Sequence, residues 1–220
     1  MNKIKAKSIP NILTIIRIIL AIFAILFVCL YKAKNASINY TLYHYFFSGM
    51  YIYIPVTYII AGSIFLVACA TDWIDGHLAR KYNWISDFGK LWDPIADKIL
   101  IDGLLIALAV NNSIPVFVPI IMIIRDIIVD AMRMYASSKG NVVAANIWGK
   151  LKTVTQMIAI AATFFAFGIV ENAQNHLILY YFVVNLLYLI ACTFSITSGI
   201  IYAINIQGKS NKANVTKKQI

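Results

Sequence analysis

Eight aspartates fall between positions 72 and 130 of this 220-residue chain, and Glu171 is its one other acidic residue. In "DWIDGHLAR", residues 72–80, two carboxylates, a glycine and an arginine close an apolar run from Ile59 to Ala70. On an α-helix, at about 100° per residue, Asp72, Gly76 and Ala79 share one face within about 40°, with Asp75 and Arg80 at its flanks. In the next segment Gly89, Asp93, Ala96 and Asp97 form a second stripe at i, i+4, i+7 and i+8. Four carboxylates meeting between two such helices repel one another in a low-dielectric setting and require a compensating cation. All-oxygen ligation without His or Cys selects Mg²⁺ or Mn²⁺, and a cluster of this size has room for two ions. Paired divalent ions suit displacement at phosphorus, where they stabilise the attacking and leaving oxygens. The small residues beside the carboxylates let a nucleotide or phosphate approach the backbone.

The elements that must position these groups are membrane helices. Hydrophobic residues make up 61% of the chain and charged ones 13%, against roughly half and a quarter in an ordinary soluble domain. Six apolar segments approach the roughly 20 residues needed to span a bilayer as helix. They lie near 12–31, 53–71, 95–112, 114–136, 153–170 and 177–204, and "NNSIP" is a tight turn between the third and fourth. The expected fold is therefore all-α and integral to the membrane: one bundle of six transmembrane helices over residues 1–208, without internal repeats or a separate soluble domain. Residues 209–220 form a basic tail. The first apolar run follows Lys3, Lys5 and Lys7 as in a signal peptide, but no small-x-small cleavage site follows in "YKAKNAS", so it reads as a retained helix.

The basic residues orient the bundle. With the N-terminus inside, 17 of the 19 lysines and arginines fall on the inner side, leaving Lys32 and Lys34 outside. Both termini are expected in the cytoplasm. This topology, with attraction to anionic lipid head groups, accounts for the net charge of +10, and nucleic acid is not needed to explain it. Cys29, Cys69 and Cys192 have no CxxC spacing and read as packing residues. The aromatic segment "NASINYTLYHYFFSGMYIYIP" reads as an interfacial anchor on the outer side, where His44 and His176 also lie without assigned chemistry.

The stretch "DWIDGHLARKYNWISDFGKLWDPIAD" resembles the signature of the CDP-alcohol phosphotransferases, D-x-x-D-G-x-x-A-R-x8-G-x-x-x-D-x-x-x-D, at every fixed position: Asp72, Asp75, Gly76, Ala79, Arg80, Gly89, Asp93 and Asp97. Within that family "IPNILTIIRI" at 9–18, "IIRDIIVDAMR" at 123–133 and "GKLKTVTQM" at 149–157 look like the bacterial phosphatidylglycerophosphate synthases. The resemblance implies a six-helix fold that forms homodimers in a bacterial cytoplasmic membrane. The implied reaction joins CDP-diacylglycerol and sn-glycerol 3-phosphate to give phosphatidylglycerol phosphate and CMP.

By the same resemblance, Asp72, Asp75 and Asp93 are ligands of Mg²⁺ or Mn²⁺, and Asp97 either completes a site for two such ions or acts as base on the acceptor hydroxyl. Asp97, with Asp93 beside it, serves catalysis, and the base acting on the acceptor hydroxyl is assigned to Asp97. Asp72, Gly76, Ala79, Arg80 and Gly89 hold the cytidine diphosphate. His77, at a variable position of the signature, is a bystander.

The acceptor's phosphate needs a second positive patch, for which Arg125, Arg133, Lys150 and Lys152 are available. Pairing of Arg125 with Asp126 or Asp130 is the alternative, and helix anchoring the alternative for the two lysines. Asp130 departs from the usual small or hydroxylated residue of that block, which bears on acceptor identity. Asn11, Thr14 and Arg17 resemble a block that supports the active site. Three competing readings remain: a sibling enzyme such as a cardiolipin synthase with phosphatidylglycerol as acceptor, an intramembrane prenyltransferase, and a divalent-cation transporter. The last does not explain Gly76, Ala79, Arg80 and Gly89.

Overall fold

Helix α1 (Lys3–Ala33) repeats Thr14, Arg17, Ala21, Ala24 and Val28 at alternating spacings of three and four, and all five are fully buried. That spacing keeps one face inward, and the two alanines let neighbouring backbones approach. The opposite face turns Ile12, Ile15, Ile19 and Phe23 outward. Helix α2 (Val56–Tyr82) buries Tyr58, Ala61, Phe65 and Ala68 on an equivalent stripe, which runs on through position 72 to buried Asp75. Helix α3 (Asp87–Val110) buries Ala96, Leu100, Leu104 and Leu108. Its Pro94 has no N–H to donate to the carbonyl of residue 90.

The computed structural model describes residues 3–33, 41–46, 50–82, 87–138, 147–167, 169–171 and 177–218. They fall into two compact units, Met1–Val116 with Ile160–Val184, and Phe117–Ala159 with Asn185–Ile220. In the first, α1 packs against both α2 and α3. Thr14 meets Asp93, Arg17 meets Asp97 and the Val28 carbonyl meets Asn111, so α1 and α3 run parallel at an almost constant offset. Arg17 meets Asp72, while Tyr58 joins Asn111 at the other end, so α2 runs antiparallel to both. Two polar knots thus tie the three helices at levels about 16 Å apart, eleven residues along α1 at about 1.5 Å each.

The second knot closes α3. Asn112 has a φ of 58°, and the bonds Ser113 N–H to Leu108 O and Asn112 N–H to Ala109 O form a Schellman end, with asparagine in the left-handed position. Asn111 donates to the Val28 carbonyl and to Tyr58 Oη, which lies 2.7 Å from Ser113 Oγ.

A small sheet adds to the expected helical architecture. Strands β1 (Thr41–Phe46) and β2 (Met50–Pro55) pair antiparallel from Thr41↔Pro55 to Phe46↔Met50, and β3 (Ile169–Glu171) pairs with β2. Tyrosine and isoleucine in "TLYHYF" and "MYIYIP" favour a pleated strand over the anchor loop read from composition. The side chains of these strands other than Pro55, His44 among them, and all of His176 lie outside the described residues.

In the second unit α4 (Phe117–Ser138) buries Val118, Met122, Val129 and Ala136, and α5 (Ile147–Ala162) buries Lys152, Gln156 and Ala159. Helix α6 (Leu177–Lys218) buries Tyr188, Ala191, Ser195, Ser198 and Tyr202 and runs unbroken past position 208. Six long helices are thus present, but among the described residues only three are long and apolar enough to cross a membrane: Asn11–Leu30, Val56–Gly76 and Asn185–Ile206. The difference from the six expected spans has a physical reason. Helix α3 carries Asp93, Asp97, Lys98 and Asp102, α4 carries Arg125, Asp126, Asp130 and Arg133, and α5 has only 16 residues.

After α5 the chain widens into a π-helical turn, Thr163–Phe167, that packs on α2. Phe164 lies edge-on to Tyr58 at 5.7 Å and tilted against Phe65 at 6.3 Å. A Cβ at Gly62 would stand 2.8 Å from the Phe164 Cβ, which cannot swing away. Gly62→Ala is therefore expected to lower stability by roughly 1–3 kcal/mol through overpacking, read as a lower Tm in detergent; an unchanged Tm would contradict this packing.

Candidate active site

Because the buried stripes of α2 and α3 end in acids, those acids face the helix whose stripe lies between them. Arg17, on that stripe of α1, has no solvent exposure, and its Nη1 lies 2.7 Å from Asp72 Oδ1 and 3.2 Å from Asp97 Oδ1. Its Nη2 is 4.0 Å from Asp75 Oδ2. Thr14 Oγ1, one turn earlier, donates to Asp93 Oδ1 at 2.6 Å. Four carboxylates from two helices are thereby gathered by two side chains of a third. An arginine in an apolar helix is expensive unless paired, and here the acids supply the pairing.

The arrangement differs from the expected one in what stands at the centre. Among the described residues no three His, Cys, Asp or Glu form a group already placed to hold a metal ion. The guanidinium of Arg17 lies between Asp72 and Asp97 and carries the positive charge that the sequence assigns to metal. The donor set still fits a hard divalent cation: every candidate ligand is a carboxylate, and Asp75 Oδ1 is buried without a hydrogen-bond partner among the described residues. Asp72 and Asp97 are each nearly half exposed, so the cluster opens outward.

Gly89 is buried and Gly76 half-buried, and both lie on the helices that carry the acids. Ala79, Arg80 and His77 belong to α2, with their side chains outside the described ones. Asn11 is half-buried, one turn before Thr14 on α1.

The residues expected to take an acceptor phosphate lie in the second unit and are partly engaged there. Arg125 Nη1 is 2.7 Å from Asp126 Oδ1, its Nε donates to the Ser195 carbonyl at 2.9 Å, and its Nη2 donates to Ser198 Oγ. Buried Lys152 donates to the other oxygen of Asp126. Asp126 therefore bridges two cations, and small residues on α6 make the room: a Cβ at Gly199 would touch Arg125 at an ordinary 3.5 Å. Arg133 is more open, 3.9 Å from Asp130 and over the Tyr202 ring at 5.9 Å. Lys150 is exposed.

Four participants escape the pattern of the signature. Arg17 is central rather than supporting, and the signal for it is that no other charge lies within the 20 residues Asn11–Leu30. Asp126 is the bridge of the second cluster. Ser195 and Ser198 sit in a span whose sequence carries no motif.

A helical protein with apolar outer faces and an aspartate cluster at the end of two packed stripes is a membrane protein with an acidic site. The chain belongs to the CDP-alcohol phosphatidyltransferase family, whose model matches residues 7–197. It is similar to the CDP-diacylglycerol–glycerol-3-phosphate 3-phosphatidyltransferase of Mycoplasma genitalium, 39% identical over 203 residues that cover 91% of this chain and 84% of the relative. The protein of that name from Mycoplasma pneumoniae is 39% identical over 200 residues, covering 90% and 86%. The one from Bacillus subtilis is 37% identical over 146 residues, covering 66% and 72%.

The second cluster generates its own test. Asp126→Ala strands two cations in a mostly buried place and is expected to cost about 3 kcal/mol of stability in detergent unfolding, and adding Lys152→Met should recover part of that loss. A double variant no more stable than Asp126→Ala would contradict a stranded Lys152 charge.

Proposed function

We propose that the chain transfers a phosphatidyl group from CDP-diacylglycerol to sn-glycerol 3-phosphate, giving phosphatidylglycerol phosphate and CMP. The observation that carries this reading is the meeting of the carboxylates of α2 and α3 around one buried point on α1. The names of the similar proteins support the same substrates.

In this reading Asp97 accepts the proton of the acceptor's free primary hydroxyl, whose oxygen then bonds to the phosphorus bearing the lipid. The bond from that phosphorus to the CMP oxygen breaks, and CMP leaves with the electron pair. Asp97 is suited to the base role because its carboxylate is nearly half exposed, within reach of an incoming hydroxyl. Asp93 acts beside it, held in orientation by Thr14. The family depends on divalent metal, and two Mg²⁺ or Mn²⁺ ions held by Asp72, Asp75, Asp93 and Asp97 would offset charge on the pyrophosphate and on departing CMP. Asp72, Gly76, Ala79, Arg80 and Gly89 hold the cytidine diphosphate, the small residues by allowing close approach. Asn11 and Thr14 support this wall from α1.

Arg133 and Lys150 are the first contacts for the acceptor's phosphate, because Arg125 and Lys152 are committed to Asp126 and contribute through that bridge. The lipid tails stay in the bilayer while glycerol 3-phosphate and CMP exchange with the cytosol. The chain works as a homodimer in the cytoplasmic membrane, its six helices all spanning and both termini, including the basic tail 209–220, inside.

The test is CMP release by purified protein in detergent with CDP-diacylglycerol and Mg²⁺, offering glycerol 3-phosphate, phosphatidylglycerol, inositol phosphate or serine in separate reactions. Release is expected with glycerol 3-phosphate alone, and Asp97→Asn should lower it by about 10²–10⁴-fold, the range of a lost general base. Release with another acceptor would overturn the substrate, and undiminished release by the variant would overturn the base.

A further inference from the structure

We propose that Arg17 is the resident counter-cation of the acidic site and that divalent metal enters by displacing it. The protein then holds either the guanidinium or metal between α2 and α3. The inference rests on the metal-binding part of the function proposed above and adds a competitor built into the chain.

The first support is position. Arg17 Nη1 touches carboxylates of two different helices, 2.7 Å from Asp72 and 3.2 Å from Asp97, so it occupies ground that an ion bridging those helices would need. Two cations cannot share that ground without mutual repulsion.

The second is how incompletely Arg17 is held. A guanidinium offers five N–H donors in a rigid fork, and a permanent ion pair uses that fork bidentately. Here Nε and Nη2 are buried and have no hydrogen-bond partner among the described residues. The nearest carboxylate to Nη2, Asp75, is 4.0 Å away and leaves its own Oδ1 without a partner. Release of the arginine therefore breaks close contacts at Nη1 and one long ion pair at Nη2, and a ligand oxygen of Asp75 already stands unused beside it.

The third is charge. Four carboxylates, Asp72, Asp75, Asp93 and Asp97, are gathered at one guanidinium and its neighbour Thr14, and a divalent ion brings such a cluster twice the charge of the side chain it holds. Asp72 and Asp97 are 43% and 47% exposed, which gives the ion a way in and the displaced head group a way out.

A permanent structural role and a displaceable one predict opposite signs. If Arg17 only braces the carboxylates, its removal loosens the site and weakens metal binding. If it competes, its removal strengthens binding. Arg17→Gln in purified, detergent-solubilised protein should bind Mn²⁺, followed by the loss of free-ion electron paramagnetic resonance signal, roughly tenfold or more tightly than the unsubstituted protein, the scale of one nearby charge. The same variant should show a lower Tm in EDTA that Mn²⁺ restores. Binding unchanged or weaker in the variant overturns the proposal. No Mn²⁺ binding by either protein overturns the metal reading itself.

Because Arg17→Gln leaves buried carboxylates uncompensated and can fail to fold, a second measurement uses the unsubstituted chain. The Arg17 Nε–Hε resonance, identified by its absence from Arg17→Lys, should shift and sharpen as Mg²⁺ is added. A resonance unmoved at saturating Mg²⁺ overturns the proposal whatever the variant does.

Discussion

A guanidinium without solvent exposure, set among aspartates in an apolar helix bundle, is the interaction on which the first unit depends. Either sign of charge alone would cost several kcal/mol per ion in that setting. Together they are tolerable, and the pairing fixes which faces of α1, α2 and α3 meet. A turn of α1 in either direction would bury Ile or Leu against the acids and leave Arg17 facing lipid. The site and the register of the helices are therefore one constraint seen twice.

The rest of that unit follows from keeping the register over its length. Alternating spacings of three and four put Ala21 and Ala24 of α1 next to the stripes of α2 and α3, and small residues let the backbones close. At the far end Asn111, Tyr58 and Ser113 form a second polar lock on the same three elements. Gly62 then lets the π-helical turn seat Phe164 between Tyr58 and Phe65. The second unit repeats the principle with the sign reversed, one aspartate holding two cations.

The inward faces of the helices and the carboxylate stripes are legible in the sequence because helical periodicity and the cost of buried charge both act locally. Asp72 with Asp75 and Asp93 with Asp97 can be placed on faces by counting residues. Arg17 was harder to place, since its partners lie 55 to 80 positions away and its local context, a basic start to an apolar helix, has an ordinary topological meaning. The Asp126 bridge was legible only in half: pairing with Arg125 is suggested by adjacency, whereas Lys152 arrives from another helix. The β1–β2–β3 sheet is not legible in the sequence, because an aromatic-rich segment beside a span also fits an interfacial loop. Composition counts six apolar segments, yet charges at the functional positions leave α3 and α4 outside the strict limits of a spanning helix.

The central claim is that the aspartates of α2 and α3 form one metal-dependent site for transfer at phosphorus. The most direct measurement is CMP release by Asp75→Cys, titrated with Mg²⁺ and separately with Cd²⁺ in the presence of CDP-diacylglycerol and glycerol 3-phosphate. A thiolate is a poor ligand for Mg²⁺ and a good one for a soft ion. The account predicts that the variant is nearly inactive with Mg²⁺ and regains activity with Cd²⁺. Full activity of the variant with Mg²⁺ would contradict it.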